Sequence, residues 1–290
     1  MKNIRFLFVL LSLFVSQAVL AADISIGVIA PRGVLKSMQK WTEFGKYLSN
    51  ETGQSVEIVP LVPPKVIPAA KARKVNFVLS HPPHTVVLKK RFGATPLATL
   101  NKKSGSQFAG VIVARQGSGI SKAEDLRGKK AMSLKFKVAA GAYIFQTYHL
   151  KQKGIDVHRD LASITQGKKQ DNLVLAVKAG VTDAAFVRSG LLEAMEKEGK
   201  IKMSDFVVVD QRSDKVLPQV HTTVLYPEWY LSSLKGNNPK LAKKVKAAVM
   251  KMNPDMTASK NAKIKGFIKP LPLKPMEAAL KSLKIAPYDI

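Results

Sequence analysis

The sequence of 290 residues contains no cysteine. A disulfide framework, a thiolate metal site and a catalytic thiol are therefore all excluded. The same absence excludes a lipidated cysteine at the amino terminus.

Acidic residues are also scarce. Asp and Glu number 20 against 47 Lys and Arg, which gives a formal net charge of +27. In a cytosolic protein this excess would indicate nucleic-acid binding. Here the basic residues are scattered along the chain, and the export signal described next argues against a nucleic-acid partner. Two compatible interpretations stay open: a solvated lysine-rich surface, and a positive field that steers anions toward a cleft.

The apolar run near the amino terminus is too short to cross a membrane. Residues 6–15 are apolar except for Ser12, follow Lys2 and Arg5, and precede Ala21 and Ala22. A membrane span needs ~18 or more apolar residues, whereas a short apolar core between a basic start and small residues is typical of a cleavable signal peptide. We predict a signal peptide over residues 1–21, cleaved after Ala21 or Ala22. The mature protein is expected to be soluble, periplasmic and free of stable membrane insertion.

Catalytic signatures are missing as well. The sequence has no nucleophile elbow, phosphate loop, HExxH motif or paired-carboxylate motif, although such motifs are recognisable where present. His81 and His84 have a spacing compatible with metal ligation, but no third His or Cys lies near them in the sequence. We therefore predict a protein that is not an enzyme and that holds neither a cofactor nor a metal.

Strand and helix patterns alternate along the chain. Residues 23–30 place apolar side chains at every second position, and the next segment places Trp41, Phe44 and Leu48 at helical spacings. Further strands are expected at 55–62, 75–79, 108–114, 130–134, 162–165, 183–188, 206–210 and 221–225. Further helices are expected at 65–73, 139–153, 169–179, 189–199, 239–252 and 275–284. This alternation indicates an α/β fold with parallel strand pairs and helices on the sheet faces.

The order of these elements predicts two lobes. We expect one lobe to comprise residues 22–112 and 216–290, and the other residues 113–215. A chain that builds one lobe, crosses to a second and returns is typical of hinged binding proteins, which hold a ligand between the lobes. Strand carboxyl ends and helix amino termini line such a cleft, and both suit anions.

Several segments resemble one protein family. IGVIAPRG, KWTEFGKYLS, VNFVLSHPPHTV and KAEDLRGKK are similar to segments of the phosphate/phosphite/phosphonate-type periplasmic binding proteins. KKQDNLVLAVKAGVTDAAFVRSGLLEAM, HTTVLYPEW and PLPLKPMEAALKSLKIAPY resemble one branch of that family, the periplasmic sensor modules of tetrathionate-sensing histidine kinases. The resemblance spans the predicted mature chain. It implies a type 2 periplasmic-binding-protein-like fold and an oxyanion ligand.

The sequence departs from the family pattern at two places. Phosphonate-binding members open a helix of the second lobe with hydroxyl residues, whereas this chain has Ala139 and Ala140 there. The sensor branch commonly carries a histidine before an aspartate ahead of the next helix, whereas this chain has Gln170 before Asp171. The specific ligand of neither branch is therefore transferred to this chain.

Ten residues are candidates for ligand binding. They are the basic, hydroxyl, aromatic and glycine residues expected at the cleft: Arg32, Ser80, His81, His84, Lys137, Gly141, Tyr143, Arg188, Ser189 and His221. An arginine can hold an oxyanion through two parallel hydrogen bonds, and a protonated histidine can donate to one.

Alternatives stay open for several of these candidates. Arg32 is equally compatible with an exposed turn. Since an arginine that ends an apolar strand needs a partner when buried, Arg188 pairs either with Asp183 or Asp171 or with the ligand. The segment from Tyr226 to Trp229 is expected to serve the hinge or the packing rather than the ligand.

The leading functional hypothesis is a monomeric solute-binding protein. It would capture a small oxyanion, phosphate-, phosphite- or phosphonate-like or of sulfur, for an inner-membrane ABC permease. The main alternative is a periplasmic subunit that reports its ligand to a separate histidine kinase, since no kinase or transmembrane segment follows Ile290 in the sequence. A third hypothesis is a basic envelope protein that binds anionic polymers.

Overall fold

The computed structural model describes residues 22–289, so the predicted signal peptide lies outside the described residues. The strands, in chain order, are β1 (Ile24–Ile29), β2 (Val56–Leu61), β3 (Phe77–Ser80), β4 (Thr95–Lys102), β5 (Gln107–Phe108), β6 (Gly110–Arg115), β7 (Lys130–Ser133), β8 (Ser163–Gln166), β9 (Ala184–Arg188), β10 (Phe206–Val208), β11 (Tyr226–Pro227), β12 (Tyr230–Ser233) and β13 (Ile264–Ile268).

Nine α-helices are found among the described residues 22–289. They are α1 (Val34–Thr52), α2 (Val66–Lys71), α3 (Pro82–Phe92), α4 (Phe145–Gln152), α5 (Gln170–Lys178), α6 (Leu191–Lys197), α7 (Pro239–Lys251), α8 (Thr257–Ala262) and α9 (Lys274–Ser282). Helix α1 forms because Trp41, Phe44 and Leu48 make one buried stripe. It ends at Gly53, which adopts the left-handed conformation common at helix carboxyl ends.

The first sheet has six strands in the order β13, β4, β12, β3, β1, β2. Strand β1 is parallel to β2 and β3, whereas β12 runs antiparallel to both β3 and β4. Strand β4 therefore runs in the same direction as β1 and β3. The carboxyl ends of these three strands consequently meet at one edge of the sheet.

The second sheet has five strands in the order β10, β6, β9, β7, β8. Strands β7, β8 and β9 are parallel, and β6 is antiparallel to β9 with Gly110 opposite Arg188. The chain therefore enters the second sheet beside the carboxyl end of β9. The predicted α/β class and the two lobes of a periplasmic-binding-protein fold are confirmed.

Two chain crossings connect the sheets. On the outward crossing β5 leads into β6, and on the return β11 leads into β12; β5 and β11 pair with each other, antiparallel. Tyr226 stacks on Phe145 with ring centroids 3.7 Å apart, and Phe108 lies 5.0 Å from Phe145. The crossings are therefore held by a short ladder and by aromatic packing, as expected for a hinge.

Three local expectations differ from the structure. Residues 221–225 form no strand, because Thr222 and Thr223 turn their hydroxyls to backbone groups of residues 110–112 and 209. The helix expected over 139–153 is interrupted at Ala142, whose backbone is non-helical. The second sheet already begins at Gly110, before the expected boundary at residue 113, because β6 carries the whole apolar run after the crossing.

Candidate functional site

A cavity of about 440 Å³ lies between the two lobes. We call it the interlobe cavity, and its lining residues come from both lobes and from the outward crossing: Arg32, Lys102, Ser104, Phe108, Arg188, Ser189, Gly190, Gln219 and Lys263. Four of these nine side chains are cationic, and none is acidic. The cavity is therefore suited to an anion.

The strand directions explain why the cations meet. Arg32 follows β1, and Lys102 ends β4, so both lie at the same edge of the first sheet. Arg188 ends β9 at the edge where the outward crossing enters the second sheet. Lys263 follows α8 in a left-handed conformation, with φ of 54°. Basic residues far apart in the sequence thus converge because sheet topology brings strand ends together.

A buried carboxylate holds two of these cations. Glu228 is fully buried and forms ion pairs with the Arg188 guanidinium and with Lys102 Nζ, the latter 3.0 Å from its Oε2. The Arg188 guanidinium also lies 4.5 Å from the centroid of the Phe108 ring. The pairing of Arg188 with Asp171 or Asp183 was wrong: Asp171 pairs with Lys200, and Asp183 accepts a hydrogen bond from the Lys130 backbone.

Burial, and after it the crowding of cations, changes the ionisation of the site. Burial lowers the pKa of Lys102 to about 7, with a further contribution from Arg188 that Glu228 opposes. Burial likewise lowers the pKa of Lys40, on α1, to about 8. Burial raises the pKa of Glu228, but Arg188 and Lys102 outweigh that effect, so its net pKa lies below the ordinary value. Glu228 is therefore ionised at neutral pH, whereas Lys102 is close to its midpoint.

His81 and His84 form a stacked pair beside the site. Their ring centroids are 4.4 Å apart, and their Nδ1 atoms are 3.2 Å apart. Burial lowers the pKa of His84 to about 4, and burial together with His84 lowers that of His81 well below its ordinary value. Both rings are therefore neutral at pH 7, so the protonated donors considered from the sequence are not available there. His81 directly follows β3, whose carboxyl end lies at the same sheet edge as Arg32 and Lys102, but it is not among the residues that line the interlobe cavity.

Three small candidates occupy structural positions near the crossings. Ser189 lines the cavity, and its hydroxyl accepts a hydrogen bond from the backbone of Ala109. Ser80 is buried, with its hydroxyl 3.5 Å from that of Thr85. A Cβ added at Gly141 would lie 3.0 Å from the Phe108 ring, so this glycine permits the close approach of the second lobe to the crossing.

Lys137 and Tyr143 lie elsewhere. They line a smaller cavity of about 160 Å³ on the second lobe, together with His158 and residues of the carboxyl-terminal segment. The Tyr143 hydroxyl lies 2.8 Å from Nε2 of His158. The structure therefore separates these two candidates from the interlobe cavity.

His221 is buried behind the cavity wall. Its Nδ1 lies 2.9 Å from the Gln219 carbonyl oxygen, and its Nε2 is 3.4 Å from the Asp214 carboxylate. Gln219, rather than His221, lines the interlobe cavity. Of the ten candidates, the structure brings Arg32, Arg188 and Ser189 into the wall of one cavity.

Sequence reasoning missed several charged residues of the site. Lys40, Lys102 and Lys263 look like any other members of a lysine-rich surface, and Glu228 was treated as part of a packing segment. The sequence does distinguish Glu228, because acidic residues are scarce in this chain and this one lies in an otherwise apolar, aromatic segment between Tyr226 and Trp229, where a buried carboxylate needs a cationic partner. Among residues 22–289, no group of three or more His, Cys, Asp or Glu is placed to hold a metal ion.

Comparison with known proteins agrees with this fold. The family described as "ABC transporter, phosphonate, periplasmic substrate-binding protein" matches residues 26–273. The chain belongs to this family of periplasmic substrate-binding proteins, which confirms the resemblance noted in the sequence. In the part of the chain that the structure describes, no helix is long and apolar enough to cross a membrane.

One relative is a sensor protein. The tetrathionate sensor histidine kinase TtrS of Salmonella typhimurium is 32% identical over 231 residues, which is 78% of this chain. The match spans 39% of that relative's own length. The chain is therefore similar to one part of a longer sensor protein.

Solved structures share the fold. XAC2383 from Xanthomonas citri, bound to ATP, superimposes with a TM-score of 0.75 at 17% identity, covering 90% of this chain and 98% of that one. PhnD1 from Prochlorococcus marinus, in complex with methylphosphonate, gives a TM-score of 0.68 at 15% identity, with the same coverage of both chains. At these identities the likeness concerns the fold alone.

Proposed function

We propose that this protein binds a small oxyanion of phosphorus or sulfur in the interlobe cavity. The observation that carries the proposal is the cavity lining, with Arg32, Lys102, Arg188 and Lys263 and no acidic side chain among its lining residues. A guanidinium can bind an oxyanion with two parallel hydrogen bonds, and Arg188 is already oriented by Glu228 and Phe108. The placement of Arg32 and Arg188 on different lobes favours an anion that both lobes contact.

We propose that the protein, once it has bound the oxyanion, delivers it to an inner-membrane ABC permease. Family membership supports this role, since the family consists of substrate-binding components of phosphonate transporters. The predicted signal peptide supports a periplasmic location. The same family membership supports binding rather than catalysis.

The binding proposal is tested by thermal unfolding of the purified mature protein with a panel of anions at low salt. The panel contains phosphate, phosphite, methylphosphonate, sulfate, thiosulfate, tetrathionate and a carboxylate, with chloride at equal ionic strength as the control. An anion at ~100 times its dissociation constant stabilises a protein by roughly 2.7 kcal/mol. Absence of a saturable shift with every oxyanion would contradict the proposal.

A sensing role is the second candidate, and the likeness to TtrS favours it. Transport and sensing differ in what a gene deletion removes. If the protein serves transport, deletion abolishes high-affinity uptake of the labelled oxyanion. If it serves sensing, uptake persists and the oxyanion-dependent change in transcription is lost. A basic envelope protein would instead show weak binding of anionic polymers that disappears at high salt.

A further inference from the structure

Lys102 has an unusual environment for a lysine. Its side chain is only 16% exposed, its Nζ is 3.0 Å from Glu228 Oε2, and the same Nζ lies 5.2 Å from the centroid of the Trp229 ring. It also lines the interlobe cavity. The ammonium group is therefore largely removed from water and faces the position of an incoming ligand.

The charges around Lys102 come from several separate elements. Glu228 faces it from the return crossing, Arg188 from β9 and Lys40 from α1, and Arg32 and Lys263 line the same cavity. One carboxylate thus serves several cations. An arginine does not lose its proton in proteins, so the lysines are the groups that relieve this repulsion when no ligand is present.

We infer that Lys102 is a ligand-binding residue that takes up a proton when an oxyanion enters the interlobe cavity, and that Glu228 is the positioning residue that holds its amino group in the wall. This inference rests on the proposed function. The proton comes from solvent and converts the neutral amine of Lys102 into an ammonium, which then donates to the anion. In the ligand-free site the neutral amine reduces the repulsion among the cations. The site regains its full positive charge only when a bound anion compensates that charge.

The lowered pKa of Lys102, about 7, supports the inference. Binding of an anion favours the charged lysine and raises this pKa. The affinity for anions must therefore fall as the pH rises above 7, since the free protein then has to acquire a proton. For one such group the dissociation constant increases about tenfold or more between pH 6 and pH 8.5.

Isothermal titration calorimetry tests the inference directly. Sulfate and thiosulfate serve as probes, because neither titrates between pH 6 and pH 9. Titrations at pH 7.5 in buffers of different ionisation enthalpy give the number of protons taken up per anion. We expect about half a proton or more for the wild type.

Lys102→Arg separates charge from proton uptake. Arginine is always protonated, so this variant is expected to retain binding while proton uptake falls to about a quarter of a proton or less, the remainder coming from Lys40. Lys137→Arg is the matched control, because Lys137 lines the other cavity; its proton uptake should equal that of the wild type.

Glu228→Gln tests the positioning role. Without the carboxylate the pKa of Lys102 falls further. The variant should therefore still take up a proton on anion binding at pH 6.5, whereas Lys102 of the wild type is already largely protonated at that pH. A purely structural role for Glu228 would leave the pH dependence of proton uptake unchanged. If this variant does not fold, Lys102→Arg still decides the inference.

The outcomes separate the two proposals. Binding of sulfate or thiosulfate without proton uptake, or uptake that survives unchanged in Lys102→Arg, would overturn the inference and leave the proposed function intact. If neither anion binds, the inference falls together with the sulfur-oxyanion part of the proposed function.

Discussion

Arg188 and Glu228 form an ion pair that joins the end of β9 in the second lobe to the return crossing. Glu228 is fully buried and also contacts Lys102 of the first lobe. The pair therefore lies at the junction of the lobes, with Arg188 in the wall of the interlobe cavity. Because the carboxylate orients Arg188 before any ligand arrives, the cost of ordering the guanidinium is already met in the ligand-free protein.

Replacement of Arg188 should affect both binding and stability. Arg188→Ala removes a cavity cation and leaves Glu228 with Lys102 alone. Because Lys102 still compensates the carboxylate and the Arg188 side chain is 29% exposed, the loss should be smaller than the ~3–5 kcal/mol typical of a buried pair broken completely. We expect loss of the anion-induced thermal shift and a lower free energy of unfolding in urea. Arg32→Ala, which removes an exposed cation without such a pair, should weaken binding and leave stability nearly unchanged. Full anion binding by both variants would contradict the site assignment.

Lys137 and Tyr143 provide the complementary test. They line the second-lobe cavity rather than the interlobe cavity. Lys137→Ala and Tyr143→Phe should therefore leave the dissociation constant for the anion within about twofold, since neither side chain lines the interlobe cavity and the exposed charge of Lys137 is screened by salt. A tenfold loss of affinity in either variant would show that the ligand reaches the second-lobe cavity.

Intrinsic fluorescence should report anion binding. The protein has two tryptophans, Trp41 and Trp229, which stack with ring centroids 6.4 Å apart. Lys40 Nζ lies 5.1 Å from the centroid of Trp41, and Lys102 Nζ lies 5.2 Å from that of Trp229. Because ligand binding changes the charge or position of these lysines, emission should change saturably with anion concentration. Trp229→Phe should remove most of the signal while the calorimetric affinity stays close to the wild type.

The histidine pair should make the protein less stable in acid. Burial depresses the pKa of both His81 and His84 in the folded protein, so the unfolded chain binds more protons below its own pKa near 6.5. The free energy of unfolding is therefore unaffected by the pair above pH 6.5 and decreases as the pH falls toward 4. For His84 the decrease is on the order of 3 kcal/mol. Urea unfolding at pH 7, 5.5 and 4.5 measures it. His84→Gln should flatten this dependence, and an equally steep curve would contradict the assignment.

Gln146 should be important for the junction without affecting the ligand. Its side-chain amide donates to the carbonyl oxygens of Val111, Gly141 and Val187, all within 3.1 Å. Gln146→Leu would remove these additional hydrogen bonds, each worth about 0.5–1.5 kcal/mol, while the Val111 and Val187 carbonyl groups keep their places in the β6–β9 ladder. We expect a clear loss of unfolding free energy, with the anion affinity of the folded protein unchanged. Gln152→Leu, at the exposed end of α4, is the control.

Several features were predictable from the sequence because they depend on local order. The period-two run over 23–30 became β1, and the spacing of Trp41, Phe44 and Leu48 gave the buried face of α1. The candidates Arg32, Arg188 and Ser189 could be found because each directly follows or ends an apolar strand, and strand ends form the edge of a sheet.

The partner of Arg188 could not be predicted in this way. Asp171 and Asp183 are its near neighbours in the sequence, yet Glu228 is the residue that pairs with it. The return crossing brings Glu228 to the edge that holds the ends of β4 and β9, and this proximity depends on strand order. Lys102 was missed for the same reason, since nothing local distinguishes it from Lys103.

The sequence alone determined the absence of thiol chemistry, the positive charge, the alternation of strands and helices and the family. These follow from composition, periodicity and continuous motifs. The tertiary structure alone decided which of the many cations face one cavity, that Glu228 pairs with two of them, and that Lys137 and Tyr143 lie apart from them. Ionisation depends on burial and on distances between charges, and both are set only when the two sheets and their crossings come together.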